Sequence, residues 1–490
     1  DWSLTANVGA SLNNIKTDEL SYRGPIQENG LPNIFNVFDL DDTKKRAEKV
    51  GWHDQTQSVF ASVEVGWKQM LYLTATGRND WASQIAGSPS KSFFYPSVGL
   101  SWVPSSTWDL GNAFSYLKLR GSIASVGLPF PRFLTTPTYE YDATGKIWKD
   151  KTHYPIGDLK PERTITYEVG IDARLWKNIS LSASWYSADT KNQTFDPALP
   201  PSSSYTTIYL QTGHVRNTGV ELSLGYSNQW RDFGWSSNFT FSWNKNEIVD
   251  LASGALNPVT GQPLNLSELD IKGLGKAKYI LKQGGTLGDL YTTSDLKFND
   301  NGYVEVDKAG NLLLTDEGEQ IYLGSVFPSE NLAWRNDFRY KGINLGLLFT
   351  GRIGGICYSA TQANMDLYGV SEVSAAARDA GGVLINGREM VDAQKWYQAI
   401  GSQSGLPQYY TYSATNFRLQ ELSLGYTLPR KWFRNKMVLT VSFVGRNLWM
   451  IYCKAPFDPE AVASTGLSYQ GIDYFRMPAR RSLGFPVNLE

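Results

Sequence analysis

From Arg163 to Leu175 the odd positions carry Ile165, Tyr167, Val169, Ile171, Ala173 and Leu175, and the even ones Thr164, Thr166, Glu168, Gly170, Asp172 and Arg174. A period of two predicts a strand with one oily and one wet face. The return segment alternates Ile179, Leu181, Ala183 and Trp185 with Ser180, Ser182, Ser184 and Tyr186. Residues paired across an antiparallel ladder share a face, so odd must meet odd and the loop must be odd in length. Trp176-Lys177-Asn178 supplies three residues, with Asn178 expected in the left-handed position.

The same unit recurs. Trp2 to Leu12 predicts a first strand, followed by a polar segment to about Gln55 with the charge run Asp41 to Arg46. Val59 to Trp67 answers Leu71 to Ala75 across Lys68-Gln69-Met70, again odd to odd through three residues. Phe94 to Trp102, Leu117 to Ile123, Val220 to Tyr226, and Phe239 to Trp243 alternate likewise. Leu332, Trp334, Phe338 and Tyr340 are even, whereas Ile343, Leu345, Leu347 and Phe349 are odd; opposite parity requires an even loop, and Lys341-Gly342 is one. Leu422 to Leu428, Met437 to Phe443 and a strand near Arg480 to Leu489 close the series.

About fourteen strands are predicted, with connections alternating short and long. The long segments include one with a Pro200 to Ser204 core, Glu247 to Ser329 without clear strand periodicity, Gly354 to about Thr411, and about Lys454 to Arg476. A soluble sandwich has no reason to sort its loops by end, whereas an outer-membrane barrel has short periplasmic turns, long extracellular loops and aromatic girdles. Trp67, Trp102, Trp176 and Trp243 near strand ends fit such girdles. The expected fold is an all-β, antiparallel transmembrane barrel, apolar face to lipid and polar face to lumen. Propellers and soluble β-rich proteins share the alternation, but no 40- to 50-residue repeat is apparent.

Composition agrees. Charged residues are 19%, below the roughly 25% of soluble domains. No apolar run reaches the length of a spanning helix. The net charge of −1 speaks against a nucleic-acid partner. The two cysteines cannot make a disulfide framework, and Cys357 and Cys453 read as belonging to strands separated by another, which argues against a bridge.

Several strings, in order, resemble the SusC/RagA family of TonB-dependent outer-membrane transporters. They are Tyr116-Leu117-Lys118-Leu119-Arg120-Gly121-Ser122 with Val126-Gly127, Leu159-Lys160-Pro161-Glu162-Arg163 with Tyr167-Glu168-Val169-Gly170, and Asn217-Thr218-Gly219-Val220-Glu221-Leu222. Phe338 to Leu345, Phe417-Arg418-Leu419-Gln420, Leu424 to Pro429, Gly445-Arg446-Asn447-Leu448 and Phe457-Asp458-Pro459-Glu460 follow. The resemblance implies nutrient import of glycans or peptides, a SusD-like surface lipoprotein as cap, a TonB complex as energy source, and outer-membrane lipid around the wall. It also implies a barrel of about 22 strands with a plug. Residues 1–490 are therefore expected to be the C-terminal barrel part, with plug domain and early strands lying elsewhere. Two departures stand out: the acidic loop Asn299-Asp300-Asn301-Gly302 with Asp307 lacks full calcium-loop spacing, and the last strand ends Val487-Asn488-Leu489-Glu490 without a terminal aromatic.

No catalytic set, metal-ligand spacing or cofactor motif stands out. The pair Asp316-Glu317 lies in a loop, and Gly284-Gly285-Thr286-Leu287-Gly288 precedes no helix pattern, so it reads as a loop anchor. Glu168, Asp172 and Arg174 share the inferred lumen face, expected as a structural charge ladder against a plug ahead of direct substrate contact. Tyr205, Tyr209, Tyr409 and Tyr410, in or beside the long loops, are candidate rings for stacking on a sugar or packing on a partner, with packing on the rim an equal alternative. A passive porin or adhesin barrel, and a soluble β-rich glycan-binding protein, are the alternative readings.

Overall fold

The computed structural model describes residues 1–30, 36–135, 139–142, 146–150, 153–154, 156–157, 159–196, 205, 207–251, 262, 266–316, 318, 320–464, 466 and 469–489. One antiparallel sheet follows chain order throughout. Its staves are β1 (Trp2–Arg23), β2 (Arg46–Trp67), β3 (Leu71–Ala82), β4 (Phe93–Trp102), β5 (Phe114–Leu128), β6 (Glu162–Leu175) and β7 (Ile179–Phe195). They continue as β8 (Leu210–Trp230), β9 (Phe233–Asp250), β10 (Glu330–Tyr340), β11 (Ile343–Ile353), β12 (Asn416–Thr427) and β13 (Leu439–Cys453). The last, β14, is broken by Phe485-Pro486 into Ser482–Gly484 and Val487–Leu489, both paired with β13. Proline cannot donate to a ladder, which accounts for the break.

The parity rule holds at each tight turn it was applied to. Leu175 pairs with Ile179, Trp67 with Leu71, and Tyr340 with Ile343. Asn178 is not the left-handed residue, however; Trp176 (φ 44°) and Lys177 (φ 66°) are, as Lys68 and Gln69 are in the sister turn. In this loop the first two residues carry the left-handed backbone of the reversal, and the third completes the turn before Ile179 opens the return strand. These turns lie on one rim, with aromatics around them: Trp2 against Trp67 at 6.2 Å and Trp230 stacked on Phe233 at 5.9 Å. Two further connections on that rim, 103–113 and 428–438, are longer; the first is wound into two 3₁₀ turns and the second into one.

The opposite rim departs more from the sequence reading. The first strand does not stop at Leu12 but pairs with β2 from Trp2↔Trp67 to Arg23↔Arg46. About ten tilted residues cross a membrane, so the upper half of this hairpin stands clear of it. Both its faces meet water there, and the apolar alternation lapses while the hydrogen-bond ladder continues.

The segments expected to be irregular loops fold. Glu268–Leu274, Ala277–Lys282, Asp289–Thr292 and Ile321–Ser325 form a four-stranded sheet. Within 354–411 lie three helices, α1 (Ala360–Leu367), α2 (Glu372–Asp379) and α3 (Ala393–Ile400), each N-capped by a side chain, Ser359, Ser371 and Asp392. Between the third and fourth short strands runs an eight-residue repeat. Lys297 N–H donates to Leu313 O at 2.9 Å, Glu305 N–H to Lys297 O at 2.8 Å, and Leu313 N–H to Glu305 O at 2.9 Å. This closed triangle places Leu296, Val304 and Leu312, eight residues apart, in one buried core with Tyr279, Leu290, Tyr358, Trp396, Ile400, Leu406 and Ile472. Gly302 and Gly310 turn its corners with positive φ. The whole makes an extracellular cap on the barrel. The Pro200 to Ser204 core and Glu317 lie outside the described residues.

Candidate functional site

Side chains at even positions of β6 and β7 face the lumen, and the wall there is organised around a residue that was not singled out in the sequence, Arg120 of β5. Its guanidinium pairs with Glu168 and reaches Asp172 with Nε–Oδ2 at 3.6 Å. Ser182 Oγ donates to the other Asp172 oxygen at 2.7 Å. Thus Glu168 and Asp172 converge, as a shared face predicts. Arg174 does not join them: it lies nearer the tight-turn rim and has no carboxylate in ion-pairing range among the described residues. The signal for Arg120 was its parity, since Lys118, Arg120 and Ser122 alternate with an oily set.

The same economy of charge repeats round the wall. Arg78 Nε meets Asp80 at 2.7 Å and Nη2 donates to Ser58 Oγ at 2.8 Å. Arg335 joins Asp337 at 2.9 Å and Glu421 at 3.5 Å, and Arg446 joins Glu421 at 2.9 Å. Between these clusters Arg120, Ser182, Ser184, Glu221, Ser223 and Thr240 line a trough of about 360 Å³. Such a wall offers hydroxyl donors and acceptors with fixed charges, suited to a hydrated polar solute or to a polar protein surface.

At the top of the wall Arg418, 5% exposed, ties cap to barrel. Its Nη2 and Nη1 fork onto Asp458 at 2.9 and 3.1 Å, and Nη2 also reaches Glu460 at 3.0 Å. Asn416 Oδ1 accepts from the same guanidinium. A bidentate, satisfied arginine is the arrangement in which a buried charge is tolerated. The strings Phe417-Arg418 and Asp458-Pro459-Glu460, noticed separately in sequence, are one joint.

The loop anchor is also a joint. Gly284 N–H donates to Ile248 O and Ile248 N–H to Gly285 O, both at 2.8 Å, while Leu287 N–H donates to Asn246 Oδ1 at 2.9 Å. Gly284 to Gly288 therefore fastens the cap sheet to the end of β9.

Of the four tyrosines, Tyr409 presents a partly exposed ring, set edge-on to Trp396 at 5.4 Å. Burial pushes its phenol up to about 12. Tyr410 points the other way, 2% exposed within the cap core, and is not available as a surface platform. Tyr209 packs against the core formed by Ile85, Phe130 and Leu159, and Tyr205 lies T-shaped on Tyr154 at 5.2 Å. The four do not form one site.

The degenerate acidic loop is explained by the repeat. Asn299 Oδ1 accepts from the amides of Asn301 and Tyr303, and Asp307 Oδ1 from those of Ala309 and Asn311. The oxygens serve the corners of the triangle. Cys357 is not on a barrel strand: it sits in a cap sheet between Thr411–Ser413 and Ile472–Asp473. Burial pushes its thiol up to about 12, the neighbouring Cys453 adding to this, and both thiols are free.

Fourteen staves with sorted connections, an oily outer face and a charged, hydroxylated inner one define an outer-membrane β-barrel. The family model "TonB dependent receptor-like, beta-barrel" matches residues 1–325, and the chain belongs to that family, one of receptors rather than enzymes. It is 24% identical to TonB-dependent receptor P3 of Formosa agariphila over 98% of this chain and 49% of that protein. To TonB-dependent receptor SusC of Bacteroides thetaiotaomicron it is 20% identical over 68% of this chain and 32% of that one. The RagAB peptide importer in its closed-closed state superposes with a TM-score of 0.72 at 20% identity, over all of this chain and 53% of that one. The SusC/RagA resemblance read from short strings is borne out. The chain spans about half the length of the curated relative P3.

Proposed function

We propose that this chain forms the later staves and the cap of an importer that draws a nutrient through the outer membrane. In this reading a plug and the remaining staves complete the barrel, a TonB complex supplies energy, and a SusD-like lipoprotein covers the cap. Glycans or peptides are the solute classes that a wall of hydroxyls and paired charges accommodates. The observation carrying the reading is the joining of two parts in one chain. A polar, charge-balanced lumen is roofed by a folded extracellular unit, anchored through Arg418 and Gly284 to Gly288. The likeness to a peptide importer along the whole chain supports it.

The test uses the full-length protein in its own outer membrane. Growth on peptides or on oligosaccharides as sole nutrient is compared in strains with and without the gene, and with and without a functional TonB system. Loss of growth on one class in both deletions is expected. Flux that persists without TonB, together with swelling of liposomes holding the purified barrel, would replace the importer by a passive pore.

A further inference from the structure

On the outward face of β6 and β7, above the oily band, two cations stand directly opposite each other: Arg163 pairs in register with Lys191. Like charges at opposed positions destabilise a ladder unless something compensates them. Among the described residues no carboxylate does. Both residues are exposed, and neither has a carboxylate in ion-pairing range among the described residues. Arg163 is held in place by a hydrogen bond from Nε to Ser125 Oγ at 2.9 Å.

The acids on the rungs below are already engaged. Asp189 accepts from His214 at 2.7 Å and from Arg216 at 2.9 Å, and Glu247 is joined to Lys245 at 2.7 Å. Asp189 and Glu247 are thus taken up by other partners, and no described ion pair reaches Arg163 or Lys191.

Their height is informative. The oily face of β6 runs from Leu175 to Ile165, and about ten tilted residues span the apolar band. Arg163 is the next residue outward on that face, at the level where lipid headgroups begin. Beneath the pair, Tyr167, Val169 and Trp185 are 49%, 55% and 42% exposed and present an apolar, aromatic slope for acyl chains. The rim is the extracellular one, because the cap rises from it.

We propose that Arg163 and Lys191 bind a phosphate of the outer-leaflet glycolipid, lipid A, with its acyl chains lying along Tyr167, Val169 and Trp185. The phosphate supplies the missing negative charge, and the lipid becomes a fixed part of the wall between β6 and β7. The proposal does not depend on what the barrel transports.

The experiment uses the full-length protein, purified in non-ionic detergent and stripped of lipid. Binding of diphosphorylated lipid A, dephosphorylated lipid A and inorganic phosphate is measured by native mass spectrometry and by the shift in melting temperature. A basic side chain near an anionic surface contributes roughly fivefold in affinity. Arg163→Ala with Lys191→Ala should therefore bind diphosphorylated lipid A about thirtyfold more weakly. Arg163→Lys with Lys191→Arg should retain most of the binding, and Lys68→Ala with Lys341→Ala, on the other rim, all of it. Equal binding of dephosphorylated lipid A, or an unchanged affinity in the alanine pair, would overturn the proposal. Inorganic phosphate binding as tightly as the lipid would overturn the lipid assignment. A heat-modifiable gel shift confirms that each variant is folded before it is compared.

Discussion

Leu224 in the wall is 44% exposed and Leu290 in the cap is 0% exposed, yet both are leucines in β-strands of one chain. The wall turns its oily side chains outward and needs no core of its own: lipid is the apolar phase, and the ladder satisfies the backbone. The cap stands in water and must bury its oily side chains inside, so its strands are short and its core is collected from distant segments. Two solvents, met by one chain, therefore produce two rules for placing the same residue. The comparison predicts where substitutions hurt, and the largest effects belong where the rules meet.

Arg418 is that place. Arg418→Ala removes the partner of Asp458 and Glu460 and should cost about 3–5 kcal/mol, the usual effect of stranding buried charges. The loss is expected in the cap's attachment, seen as faster hydrogen exchange and proteolysis in 454–464 while the barrel keeps its heat-modifiable mobility. Simultaneous melting of both regions would show that cap and wall are a single cooperative unit. Within the cap, Leu290→Ala should cost about 2–5 kcal/mol, measured by denaturant titration of cap fluorescence. Leu224→Ala, already facing the apolar phase, should cost clearly less. Equal costs would abolish the distinction between the regions.

The wall has its own asymmetry. Leu222→Arg puts a cation against mid-membrane lipid and should cost about 2–4 kcal/mol in refolding into bilayers. Ser223→Arg, one residue along and facing the lumenal trough, should cost much less and instead alter what passes. The pair tests face assignment without changing strand or depth.

How much of this was legible follows from the same contrast. Lipid on one side and water on the other impose a period of two, which is why β6, β7 and the turn parities could be read directly. Where that asymmetry ends, the reading ended: Asn13 to Arg23 continues β1 with both faces in water. The cap hides its order in other periods. Ala393, Trp396, Tyr397 and Ile400 are buried at helical spacing in α3, a signal present but overlooked inside a polar stretch. Gly302, Gly310 and Gly318 recur every eight residues, and with Leu296, Val304 and Leu312 they spell out the triangle. The site residues fared likewise. Parity alone brought Glu168 and Asp172 together, but Arg120 comes from a stave whose place beside β6 depends on skipping 129–161. Tyr409 and Tyr410 are adjacent in sequence and face opposite ways, which no loop composition reveals.

The smallest effect tests that repeat. Asp307 and Asn299 occupy equivalent corners, each with a side-chain oxygen accepting two backbone amides, but one is ionisable. The amide of Asn311, then its side chain, hold the Asp307 carboxyl below its ordinary range. A folded-state pKa that is depressed gives stability above the unfolded value and loses it as pH falls through the folded one. Between neutral pH and about 5 the corner should therefore be unchanged, and below about 4 it should loosen. Protection of the Ala309 and Asn311 amides, taken relative to the free-amide exchange rate at each pH, should fall on acidification in the native protein. In Asp307→Asn, where a neutral acceptor copies Asn299, the same amides should lose the acid-sensitive step. Asp307→Ala should expose them at every pH. If acid loosens the Asn299 corner to the same degree, the change is global to the cap and does not originate at Asp307.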